Sequence, residues 1–151
     1  MKSMRRDLYE SVKSAISGLM YGDGSPMIRH VDLWNRNVEF VEQEESWDRP
    51  AVFLEFGPIE WSHSRPSPTE RCSMHCTAEL RLHVVADTFD ACANGSLPTT
   101  YFLIGMLKRA LTGLCGEGFS GMVPVREMSN HDHGELVEEI LVMSYRGHES
   151  F

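Results

Sequence analysis

A chain of 151 residues, 42% hydrophobic and 24% charged, is sized and composed for one soluble domain. Its formal net charge of −8, with Arg5–Arg6 as the notable basic cluster, argues against a protein that grips the phosphate backbone of nucleic acid. No apolar run approaches the ~20 residues a membrane helix needs. The opening MKSMRRDLYESVKSAISGLM is charged and then amphipathic, unlike a secretory signal, so a cytoplasmic protein is expected.

Residues 3–20 predict a helix. Leu8, Val12, Ala15, Ile16 and Leu19 recur at spacings of three and four and form one apolar stripe, and Ser3 is placed to cap it. Tyr21-Gly22-Asp23-Gly24-Ser25-Pro26 breaks that helix. Residues 27–34, MIRHVDLW, resemble a strand with imperfect alternation. Residues 35–49 are polar and acidic and read as a loop, with a short strand at Val38–Val41. Residues 51–56, AVFLEF, read clearly as a strand: Val52, Leu54 and Phe56 share one face, Phe53 and Glu55 the other. The segment Pro58–Thr69 holds three prolines and Trp61. It reads as a loop or the arm of a long hairpin.

Residues 71–86 carry the strongest pattern in the chain. Even positions, from Cys72 through Met74, Cys76, Ala78, Leu80, Leu82 and Val84 to Ala86, are apolar or thiol; odd positions are nearly all polar. That is period-two alternation, the mark of a strand with one buried face. Residues 87–96 form a polar connection. Residues 97–114 predict a second helix with a stripe of Phe102, Leu103, Met106, Leu107, Ala110, Leu111 and Leu114. Pro98 suits its first turn, and Gly113 and Gly116 suit its end. Residues 122–128 and 136–145 read as two closing strands joined by an Asn/Asp/Gly turn at 129–134. The order implies an α+β fold over residues 1–151: a mostly antiparallel sheet with two amphipathic helices packed on one face.

Few residues suggest chemistry. Cys72 and Cys76 look like a metal pair. In a straight strand, however, they stand ~13 Å apart, at ~3.3 Å per residue, and zinc needs thiolates at ~2.3 Å. The alternation makes them small core residues. Of the four cysteines, at 72, 76, 92 and 115, none suggests a disulfide framework in a cytosolic chain. Cys115 sits at a helix C-terminus beside Glu117, a poor setting for an activated thiol. His131-Asp132-His133 offers two imidazoles that could ligate a transition metal with a distant His or Cys; the plainer reading is a solvated hairpin tip. The glycines at 113, 116, 118 and 121 match no phosphate loop. Glu42, Glu44 and Glu45, with Trp47 and Trp61, are candidates for contact with a partner or a second subunit. No cofactor is indicated.

The layout resembles the tail-completion (tail-terminator, head–tail joining) proteins of long-tailed bacteriophages and prophages. The resemblance rests on the opening helix at 3–20, WDRPAVFLEF at 47–56, and the long strand ending LRLHVVAD at 80–87. It extends to the helix at 97–114 and the two last strands. It spans nearly the whole chain in order and spacing. The segments Asn35–Asp48 and Pro58–Thr69 look longer than typical of the family. The resemblance implies a non-enzymatic virion assembly protein that self-associates into a ring, commonly a hexamer. Such a ring stops growth of the tail tube and contacts head–tail connector proteins, first in the host cytoplasm and then in the virion. An acidic lumen would let DNA pass without holding it. Two rival readings stand beside it: a small metal-binding enzyme using His131 and His133, and a ligand-binding adaptor with Trp61 and the 58–69 loop lining a pocket.

Overall fold

A computed structural model of the chain describes residues 3–34, 47–64, 72–87, 99–130 and 136–150. The first helix, α1, runs Met4–Ser17. Ser3 caps it in extended conformation, its Oγ accepting from the Arg6 N–H at 3.2 Å, which satisfies one of the donors a helix start leaves open. Met4, Leu8, Val12 and Ile16 are buried at a spacing of four, one row along the helix. The helix stops three residues before the expected end. The Gly18 N–H still bonds the Ser14 carbonyl, but the Leu19 carbonyl then accepts from Met27 and Met20 bridges Pro26. The expected break at 21–26 is the turn between them, with Gly24 at φ 87°.

Six strands form one sheet among the described residues. They are β1 (His30–Leu33), β2 (Ala51–Phe56), β3 (Ser62–Ser64), β4 (Ser73–Asp87), β5 (Phe119–Asn130) and β6 (Leu136–Ser150). The order is β1-β2-β4-β6-β5, with β3 paired to the start of β4. Only the β1–β2 pair is parallel. The expected α+β fold with a mostly antiparallel sheet is therefore what the chain adopts. The spine is β4–β6, paired without a break from Ser73↔Ser150 to Asp87↔Leu136. Strand β1 is short and half exposed at the sheet edge, which explains its poor alternation: an edge strand has little to bury. The Pro58–Thr69 segment contributes β3, the hairpin-arm alternative.

The second helix, α2, spans Thr99–Leu111. Gly113, at φ 82°, takes the left-handed position just past it, and its N–H bonds the Met122 carbonyl at 2.8 Å. Its buried row is Leu103, Ile104, Leu107 and Leu111. Phe102, expected in the stripe, is instead 48% exposed. The axis of the stripe passes through Leu103 and Leu107, and a neighbour ~100° around the helix from Leu103 points away from it. Both helices pack on the face formed by Val52 and Leu54 of β2, Cys76 to Val84 of β4, and Leu141, Met143 and Tyr145 of β6. Cys76 is in this core. Cys72 is not: it precedes the first residue of β4, beyond the helix cover, and its Sγ lies 3.9 Å from His63 Nδ1. The closing strands run longer than expected, β5 at both ends and β6 at its C-terminal end, because the extra residues continue the ladder with the partner strand.

Candidate functional site

The side of the sheet opposite α1 and α2 carries most of the polar organisation among the described residues. Odd positions of β4 point there. At its β1–β2 end Ala51, Phe53, Val85 and Leu136 form a second apolar cluster, packed by Trp34 and Trp47. Phe53, on the face opposite Val52 and Leu54, is fully buried within this second layer. The Trp47 ring meets Phe53 edge-on at 5.0 Å and lies beneath the Arg49 guanidinium. Trp61 is half buried against the main core. So each tryptophan singled out in the sequence packs at the margin of an apolar cluster. Glu42, Glu44, Glu45, His131 and His133 lie outside the described residues, as does the possible strand at Val38–Val41.

Next to that cluster sits a constellation the sequence did not reveal. His83 Nδ1 is 2.8 Å from Glu138 Oε1, and its Nε2 is 2.9 Å from Glu55 Oε1. Glu138 is 1% exposed and accepts a further bond from Asn130 Nδ2 at 2.9 Å. The Trp34 indole stacks flat on the imidazole, with centroids 3.8 Å apart and planes at 5°. Each ring nitrogen thus faces a carboxylate oxygen at hydrogen-bond distance. The arrangement therefore holds β2, β4 and β6 together and pins Trp34 over them. Its geometry is that of a structural clamp across three strands. The only sequence sign was that positions 83 and 85 of β4 are less polar than a solvated face requires.

Further along, Arg126 grips both oxygens of Glu79 through one nitrogen, at 2.7 and 2.9 Å. Beyond it lies the edge strand β5. Val123, Val125 and Met128 are exposed on it, beside exposed Tyr101 and Phe102 of α2. A small cleft of about 190 Å³ runs between α2 and β5, lined by Tyr101, Ile104, Met128 and Glu139 among others. A strand edge offers unpaired backbone groups to another chain. Here two register shifts and Pro124 interrupt it, a pattern that discourages indiscriminate pairing. Among the described residues no three His, Cys, Asp or Glu side chains converge as a metal would require. No helix of these residues is long and apolar enough to cross a membrane.

No family model and no curated protein matches the sequence. Solved structures do: fourteen chains match. One of them is a chain from the virion of a native gene transfer agent particle, with a TM-score of 0.59 and 13% sequence identity. The match covers 99% of this chain and 100% of that one. At that identity the likeness is one of fold, from end to end.

Proposed function

We propose that the chain is a virion assembly protein of phage or prophage type, without catalytic function: the subunit of a tail-terminator or head–tail joining ring. The observation that carries this reading is the end-to-end coincidence of fold with a chain of a phage-like particle, with neither protein left with an unmatched domain. It agrees with the family resemblance drawn from the order and spacing of the elements. Residue chemistry adds support. The buried His83 and Glu138 are engaged in holding strands together, and five of the eight large apolar residues exposed among the described residues lie on the β5 edge strand and on α2.

In this reading subunits meet through unlike surfaces, as a ring demands. The β5 edge and the Tyr101–Phe102 face of α2 meet a different surface of the next copy, and the closed ring then caps the tube. The partners are the last tail-tube ring and the head–tail connector, with assembly in the cytoplasm of the bacterial host. The experiment is deletion of the gene from a producing host, with the particles viewed by electron microscopy. Tails of irregular length, or tails separated from heads, are expected. Particles with joined heads and tails of normal length overturn the proposal.

A further inference from the structure

At the far end of the face opposite α1 and α2, a groove of about 440 Å³ is lined by His75, Arg146 and His148 with Ser120 and the backbone of 116–119. His75 and His148 are register partners on β4 and β6, their rings 6.2 Å apart and inclined by 21°. Arg146 stands two residues along β6 on the same face, between Thr77 on β4 and Ser120 on β5. Every one of these side chains can donate a hydrogen bond.

Arg146 is held in place without an acid. Gly121 sits at φ 67° in a bulge of β5, and a Cβ there would come within 2.9 Å of Arg146 Nε and 3.0 Å of Nη2. The missing Cβ thus lets the guanidinium approach the β5 backbone closely. Elsewhere on the sheet Arg81 and Arg126 each face a glutamate, whereas Arg146 has no ion pair among the described residues. In a chain of net charge −8, a fixed guanidinium beside two imidazoles is a local reversal of sign. One carboxylate, Glu117, is on the rim of the groove.

We infer that this groove is an oxyanion site that takes a phosphate or carboxylate group. The Arg146 fork supplies the directional contact, and His75 and His148 donate from the side. The inference is independent of the assembly reading, since it concerns binding by the isolated chain.

The test is an NMR titration of the folded full-length protein with inorganic phosphate, and separately with acetate, read at the ring resonances of His75 and His148. Saturable shifts are expected. Arg146→Met should weaken binding about tenfold, the loss of one charge-assisted contact. Arg146→Lys, which keeps the charge but not the fork, should fall between, and serves if the methionine variant misfolds. Glu117→Gln should strengthen binding by removing the opposing charge. Saturation with phosphate alone marks a phosphate site, and saturation with acetate marks a carboxylate site. Absence of saturation with both, or unchanged affinity in the Arg146 variants, overturns the inference.

Discussion

Replacing His83 by leucine tests the clamp on the face opposite α1 and α2 most sharply. The side chain is removed from between Glu138 and Glu55, which it meets at 2.8 and 2.9 Å. Glu138 stays in a nearly dry site and loses the imidazole that faces it. Breaking a buried pair from one side costs about 3–5 kcal/mol. Loss of the stack on Trp34 adds about 0.5–1 kcal/mol. Glu55, about a third exposed, recovers solvation and adds little. The variant should therefore lose about 3.5–6 kcal/mol, a large part of the ~5–15 kcal/mol that holds a domain folded. Leucine keeps most of the volume, so a cavity is not the main cause. Introducing His83→Leu and Glu138→Leu together removes both polar partners. That double variant should regain most of the loss, because a buried ion pair replaced by apolar groups is close to neutral. The assay is urea unfolding followed by tryptophan fluorescence, with the coupling taken from the double-mutant cycle. If the double variant is as unstable as the two single losses added, the pair is not coupled and the clamp argument is wrong.

Four further outcomes are expected. Gly147→Ala should destabilise the protein by about 1–3 kcal/mol, since its Cβ would come within 2.8 Å of Cys76 Sγ and 3.1 Å of Met4; adding Cys76→Ala should recover much of that in the same unfolding assay. Burial pushes the Tyr145 hydroxyl up to about 12 from 10.0; because the unfolded chain ionises first, the folded state's advantage is whole below pH 10 and is lost as pH rises towards 12, and ultraviolet titration should show one phenol that resists ionisation until that range. Burial likewise raises the Cys76 thiol, so Cys76 should react with a maleimide only on unfolding while exposed Cys115 labels in the native protein; equal native labelling of both contradicts the packing. On the assembly surface, Val125→Lys should abolish ring formation in sedimentation velocity while changing unfolding by less than about 0.5 kcal/mol; assembly that persists removes the β5 edge from the interface.

How much of this could be read from the residues depended on whether the signal was local. A helix that buries one stripe must repeat its apolar residues every three to four positions, so Leu8, Val12 and Ile16 announced α1, and Leu103, Leu107 and Leu111 announced α2. A strand with one dry face must alternate, so β4 was legible from Cys76 to Val84, and the bounds of β2 were read to the residue. These are constraints each segment imposes on itself. What needed the tertiary structure was every relation between segments. Pairing decided that β1 runs parallel to β2 and that β5 and β6 extend past their apolar cores, because ladder hydrogen bonds do not depend on side-chain polarity. A second apolar layer decided that Phe53 is buried, since the tryptophans that cover it come from elsewhere in the chain. The clamp joins residues 55, 83 and 138, and the groove joins residues 75, 120 and 146. No spacing rule links such positions. They meet only because β4 threads between β2 and β6, and the sheet closes long distances in sequence into a few ångströms.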